Sequence, residues 1–238
     1  MIPLLKQPKP GLVVFDLDGT LVDSLAGTLA AMNGLRADLD LHALGRDQVL
    51  GAMGGDTRAF LGAAIPEAAS RLDDDGWQHL LLAWGAAYTR LALPLVRTYD
   101  GVVGVLRDLH ELGIKTAILS NKRTPLVLET LDRVGLSDWF AREDVVGAGA
   151  PRRPKPWPDG LIALVSRHRV RPAQAWMVGD SDVDVRAGRA AGCVTVACRY
   201  GYGDAVREGA DVEIDAPAEL LDVFDVRWTP ESARPLPK

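Results

Sequence analysis

The stretch VFDLDGTLVDS, residues 14–24, decides how this chain is read. It places Asp16 and Asp18 two positions apart at the end of a four-residue apolar run, residues 12–15, bounded by Gly11 and Gly19. A short run rich in β-branched and aromatic side chains reads as a buried strand of a parallel sheet. The carboxylates then emerge at the C-terminal end of that strand, where ligands bind in an open α/β sheet. Side chains two apart on extended backbone point to the same side, so the two anions repel unless a cation or a shared proton relieves them. A hard divalent ion with oxygen ligands answers this, and Mg²⁺ suits a site that also receives phosphate oxygens. Metal-assisted phosphoryl transfer follows if the rest of the chain supplies the other groups.

Those groups come in order along the chain. A second apolar strand, residues 116–119, ends at Ser120, Asn121 and Lys122, and the proline-interrupted basic segment PRRPKPWPDG carries Lys155. A third strand, residues 176–178, runs into GDSDVD and delivers Asp180 and Asp184. Together VFDLDGTLVDS, ILSNK, the KPWPD lysine and MVGDSDVD resemble the four motifs of the haloacid dehalogenase superfamily, and the resemblance extends over residues 11–224. Three further segments, VRTYDGVVGVLRDLHELGIKTAILSNK, AAGCVTVACRYGYGD and PAELLDVF, look like the phosphoglycolate phosphatase branch. One departure is visible. An arginine usually precedes the motif lysine directly, whereas here Pro154 does and Arg153 stands one further back, which leaves the roles of Arg152 and Arg153 open.

Chemistry and resemblance together suggest a role for each residue. A carboxylate can attack phosphorus in line and form an aspartyl-phosphate that water later cleaves, which suits Asp16. Asp18 is then the general acid for the leaving alkoxide and the base for the hydrolytic water. The resemblance implies that Asp16 and Asp180 ligate Mg²⁺ by side chains and Asp18 by its backbone carbonyl, with Asp184 and Thr20 supporting them from behind. It also implies that Ser120 and the Asn121 amide grip the phosphoryl oxygens while Lys155 neutralises charge.

Motif spacing suggests the domain organisation. About a hundred residues separate Asp18 from Ser120, far more than one crossover helix needs. The interval from Ser120 to Lys155 holds only one helix, residues 125–134, and one strand, residues 144–147. The inserted residues 25–93 are rich in Ala and Leu and show helical periodicity at Leu80, Trp84, Tyr88 and Leu91, with no convincing alternating strand. The expectation is an α/β fold, a Rossmann-like parallel sheet with helices on both faces, formed by residues 1–24 and 94–238. Residues 25–93 would form a small all-helical cap, which the resemblance identifies as the C1 type. Asp100 is the expected N-cap and Gly113 the C-cap of a helix over residues 101–112, and the ends, residues 1–10 and 229–238, are expected to be loose.

Composition sets limits. In a chain of 238 residues, 47% hydrophobic and 25% charged residues are ordinary globular values and allow a sizeable core. A net charge of -5 leaves no large cationic face, so nucleic acid is not an expected partner. No apolar run approaches membrane-spanning length, and the start, MIPLLKQPKPG, carries no long hydrophobic region or cleavage site, so a cytoplasmic protein is expected. Cys193 and Cys198, five apart at a strand, read as buried free thiols. The expected oligomeric state is monomer or homodimer. His42, His79, His110 and His168 have no partner at ligand spacing and read as surface or packing residues.

The insert should choose the substrate. Its segment GAMGGDTRAF, residues 51–60, carries one cation, Arg58, which would suit a carboxylate such as that of 2-phosphoglycolate. The expected function is therefore a Mg²⁺-dependent phosphomonoester hydrolase acting on a small phosphorylated metabolite, with 2-phosphoglycolate as the leading substrate. Sugar phosphates, nucleoside monophosphates and a phosphomutase of the β-phosphoglucomutase kind are the alternatives. A carbon-centred dehalogenase needs no proton donor at the position of Asp18, and a silent binding module would not need the full set of acid, nucleophile, lysine and metal ligands.

Overall fold

A computed structural model describes residues 7–149 and 153–225. Its centre is a six-stranded parallel sheet: β1 (Leu12–Phe15), β2 (Lys115–Arg123), β3 (Val145–Ala148), β4 (Ala175–Gly179), β5 (Val194–Cys198) and β6 (Val212–Ile214). Their order is β3-β2-β1-β4-β5-β6. The chain thus builds outward from β1 in one direction and then from β4 in the other, which makes the β1/β4 seam the switch point where the strand-end loops part. The seam is in register, with Phe15 opposite Val178, so the residues following each strand leave side by side.

Both faces of the sheet are covered, which is why β1 and β4 are buried at every position. Val13, Phe15, Ile118, Trp176 and Val178 pack into one apolar cluster with Val105, Leu106 and Leu109 of the helix Val102–Glu111. Leu12, Val14, Ala117, Leu119 and Met177 pack into another with Leu161 and Leu164 of the helix Asp159–Arg167. This alternation is the period-two signature of a strand sandwiched between helices.

Between Ser24 and Val96 the chain is helical, with α-helices over Leu25–Asp38, Arg46–Ala52, Thr57–Ala64, Pro66–Ala69 and Asp74–Ala87, then a π-turn over Tyr88–Ala92. These helices have their own apolar cluster, in which Trp84 packs edge-on against Phe60 with ring centres 5.2 Å apart. Leu126, from the helix Thr124–Val134, joins that cluster from the sheet side. A two-residue antiparallel ribbon, Val22–Asp23 against Arg97–Thr98, ties the way in to the way out.

Some local expectations need correction. Gly101, at φ 91°, takes the N-cap position expected for Asp100, because the turn into that helix needs left-handed backbone that glycine adopts without strain. Gly113, at φ 71°, follows the helix end as expected. Gln7–Pro8 is not loose but pairs in parallel with Phe224–Asp225. Residues 1–6, 229–238 and Arg152 lie outside the described residues. Cys193 and Cys198 are buried free thiols. His168 lies 3.0 Å from Asp144, a packing partner that sequence spacing did not reveal.

Candidate active site

The site forms at the C-terminal edge of the sheet. Asp16 follows β1 directly, and Asp180 follows β4 across the seam. Asp184 stands in the first turn of the helix Asp182–Ala190, where its Oδ2 accepts from the N–H (3.0 Å) and the Oγ–H (2.5 Å) of Ser181. A carboxylate in that position also complements the positive end of the helix. Gly179, Gly19 and Gly201 surround these acids so closely that a Cβ on the first would strike Asp184, and one on either of the others would strike Asp180.

Oxygen atoms of Asp16, Asp180 and Asp184 lie within 4.8 Å of one another, and all three residues are buried. Burial, reinforced by Asp184 and Asp18, pushes Asp16 up to about 7 against the pull of Lys155. Burial likewise raises Asp180 well above the carboxylate range, although the N–H groups of Tyr202 (3.0 Å) and Gly203 (2.9 Å) donate to its Oδ2. Crowded oxygen donors, of which Asp16 and Asp180 resist ionisation until a cation joins them, fit a hard divalent ion. The Asp18 carboxylate is not in this cluster, which leaves its backbone carbonyl as the ligand atom that the resemblance implies.

Lys155 sits under the acids, with Nζ 2.7 Å from Asp16 Oδ1 and 2.6 Å from Asp184 Oδ1. Burial acts to lower its pKa, but Asp16 and Asp184 outweigh burial and hold the ammonium protonated. Asn121 fixes the lysine's backbone: its Nδ2 donates to the Lys155 carbonyl and its Oδ1 accepts from the Lys155 N–H, each at 2.9 Å. The Asn121 side chain is therefore taken up in bracing Lys155.

Ser120 does not stand past the end of its strand as expected, because β2 runs on to Arg123 with an irregularity. Leu119 pairs with Val146 and Arg123 with Ala148, so four steps on β2 face two on β3. Two extra residues in one strand form a bulge, which re-aims side chains, and here the bulge contains Ser120, Asn121 and Lys122. The Ser120 Oγ accepts from the Lys122 N–H at 3.2 Å and keeps its own proton for a ligand. Thr20 is buried behind the site, but its Oγ1 has no partner among the described residues, and its carbonyl accepts from the Tyr200 hydroxyl at 2.9 Å.

Several site residues had no role assigned from the sequence. Lys122 Nζ donates to Asp18 Oδ1 at 2.7 Å and to the Tyr88 hydroxyl at 2.6 Å, and it stands 4.3 Å from the centre of the Tyr88 ring. The Ser24 hydroxyl also donates to Asp18 Oδ1 and lies 3.0 Å from the Tyr202 hydroxyl. The usable signal was the position of Lys122, two residues past Ser120 at a strand end.

Asp16, Asp18, Ser120, Asn121, Lys122, Lys155, Asp180 and Tyr202 line one cavity of about 330 Å³ between the strand ends and the helical insert. The insert contributes Thr28, Leu50, Met53, Phe60, Trp84 and Tyr88, together with Gly54, Gly55, Asp56 and Thr57. Arg58 is not brought to it. Its guanidinium stacks 4.6 Å from the Trp77 ring centre, lies 3.8 Å from Asp74 and is half exposed, outside the buried set Thr57, Phe60, Leu61 and Ala64 of its helix. Arg153 is likewise held elsewhere, stacked on Trp157 and paired with Asp159 at 3.1 Å.

The family model for haloacid dehalogenase-like hydrolases matches residues 13–198, which span these acids and Lys155. The chain belongs to that family. It is 32% identical over 213 residues to a phosphoglycolate phosphatase of Chromobacterium violaceum, covering 89% of this chain and 95% of the relative. It is 29% identical to an N-acetylmuramic acid 6-phosphate phosphatase of Pseudomonas aeruginosa, covering 93% and 97%. Among solved structures, that of a predicted phosphoglycolate phosphatase from Haemophilus somnus superposes with a TM-score of 0.82 at 28% identity, covering 90% of this chain and 97% of that one. The chain is thus a haloacid dehalogenase-like hydrolase of the phosphatase kind.

Proposed function

We propose that this enzyme is a Mg²⁺-dependent phosphomonoester hydrolase that works through an aspartyl-phosphate on Asp16. The observation that supports it most is the buried Asp16 carboxylate, flanked by Lys155 and the other acids at a strand end, with Asp18 two residues away on separate partners. Asp16, Asp180 and the Asp18 carbonyl would hold the metal, supported by Asp184. When bound, Mg²⁺ neutralises phosphoryl charge and keeps the acids ionised.

An oxygen of Asp16 attacks phosphorus in line, the phosphorus–ester oxygen bond breaks, and Asp18 gives its proton to the departing alkoxide. Asp18 then takes a proton from water as that water attacks phosphorus. The bond to Asp16 breaks and inorganic phosphate leaves. Lys155 and the Ser120 hydroxyl offset charge on the phosphoryl oxygens as the transition state forms.

We assign residues 25–93 to a cap that closes over the strand ends and residues 1–24 and 94–238 to the catalytic core. No helix among the described residues is long and apolar enough to cross a membrane, and two unpaired cysteines agree with a reducing compartment. A phosphomutase would have to hold a second phosphate, and among the described residues lining the cavity Lys122, with a single N–H not already on a partner, is the one cation besides Lys155. Hydrolysis is therefore preferred.

The test is phosphate release from a panel of phosphomonoesters with Mg²⁺, with EDTA and with Ca²⁺. Release that needs Mg²⁺ and falls with Ca²⁺ is expected, since the larger ion takes more ligands at longer distances and spoils the attack of Asp16. Equal rates in EDTA would overturn the metal-assisted reading.

A further inference from the structure

We propose that Lys122 is the residue that selects the leaving group, by receiving a carboxylate bonded directly to the ester carbon. The favoured substrates are then phosphate esters of 2-hydroxy acids. This inference rests on the phosphomonoesterase reading and goes beyond it, because neither the four motifs nor Arg58 accounts for recognition of the leaving group.

A substrate carboxylate needs a cation inside the cavity. Arg58 and Arg153 are held outside it, and the Lys155 ammonium lies between Asp16 and Asp184 beneath the phosphoryl position. Lys122 remains. An ammonium has three N–H donors; here one meets Asp18 and one meets the Tyr88 hydroxyl, and the third has no acceptor among the described residues. Only 11% of the side chain is exposed, and the residue lines the cavity. The donor is therefore shielded from bulk water, and an ion pair made there is worth more than one in the solvent.

Position favours a particular substrate geometry. Asp18 has to reach the ester oxygen to protonate it, and Lys122 stands 2.7 Å from one oxygen of Asp18. A leaving group that presents its ester oxygen to Asp18 carries the atoms two bonds further on past the Lys122 ammonium. In the ester of a 2-hydroxy acid the carboxylate carbon is at that place. A carboxylate remote from the ester finds no further cation among the described residues of the lining, which also includes Asp56. Tyr88 belongs to the insert and Asp18 to the strand end, so the ammonium is held from both walls of the cavity and its rotation is restricted.

The experiment compares kcat/KM for 2-phosphoglycolate and for ethyl phosphate, which has the same skeleton without the carboxylate, in wild type, Lys122→Met, Lys122→Arg and Tyr88→Phe. A charge-assisted hydrogen bond of usual strength predicts that Lys122→Met lowers the ratio of the two constants roughly 10- to 100-fold, mostly through KM. Lys122→Arg should restore part of it, and Tyr88→Phe should lower it by a smaller factor. An unchanged ratio in Lys122→Met, with both substrates losing equally, would overturn the proposal and leave Lys122 as a support for Asp18. Binding of both esters to Asp16→Asn, with and without Lys122→Met, gives the same comparison without turnover, and equal affinities would overturn it as well. If wild type hydrolyses neither ester nor any other phosphomonoester, the phosphatase reading itself fails, a result distinct from an unchanged ratio.

Discussion

Lys155 Nζ lies 2.7 Å from Asp16 Oδ1, and both side chains are almost wholly buried. The proposed nucleophile is thus one member of an internal ion pair, whose lysine also holds Asp184. Breaking such a pair leaves carboxylates buried without a partner, which typically costs about 3–5 kcal/mol. Lys155→Met should therefore lower unfolding stability by that order in metal-free urea titrations, besides abolishing turnover. A loss below about 1 kcal/mol would mean that the acids find another partner or take up protons.

The raised pKa of Asp16 gives a pH dependence with a definite sign. A carboxyl whose folded value exceeds its unfolded one stabilises the fold fully below the unfolded value and loses that contribution as pH rises through the folded value, here between about 4 and 7. The metal-free protein should then carry a stability penalty from this site at about pH 8 that is absent at about pH 5. Mg²⁺ removes it by holding the acids ionised. The rise in Tm on adding Mg²⁺ should be larger at about pH 8, and Asp16→Asn should reduce the difference between the two pH values.

Sequence reading located the sheet and the acids because both follow from local rules. β1 and β4 are short apolar runs that could only be buried on both faces, and Asp16 and Asp180 stand directly after them. Which cations reach the cavity was not legible. Arg58 was the cation of a glycine-rich segment, but its direction depends on which face of an eight-residue helix meets Trp77. Lys122 was part of a quoted motif, yet its partners Asp18 and Tyr88 are 104 and 34 residues away in sequence. The bulge that turns Lys122 into the site arises from the pairing of β2 with β3, which no local pattern encodes.

Proton donation by Asp18 can be separated from support of the metal. Asp18→Asn should slow an alkyl phosphate far more than an aryl phosphate, whose leaving group departs with little protonation, and a difference of 10²-fold or more is the order expected of general acid catalysis. Equal losses on the two substrates would assign Asp18 to structure or metal binding instead.

Gly201 packs against Asp180, and an added Cβ would overlap the Asp180 side chain and approach the Gly19 carbonyl. Gly201→Ala should displace a proposed metal ligand without touching a titratable group. The expected result is Mg²⁺ affinity weaker by about 10-fold or more, as when a metal ligand's support is lost, measured by the Mg²⁺ concentration for half-maximal Tm shift. Unchanged affinity would show that Asp180 does not ligate the metal.

The most direct test of the account is borohydride trapping of the enzyme during turnover, followed by peptide mass spectrometry. An acyl phosphate at Asp16 is reduced to homoserine at that position, so homoserine at residue 16 that appears only when substrate and Mg²⁺ are both present is the expected result. An unmodified Asp16 in enzyme that is releasing phosphate, or reduction at a different carboxylate, would contradict it.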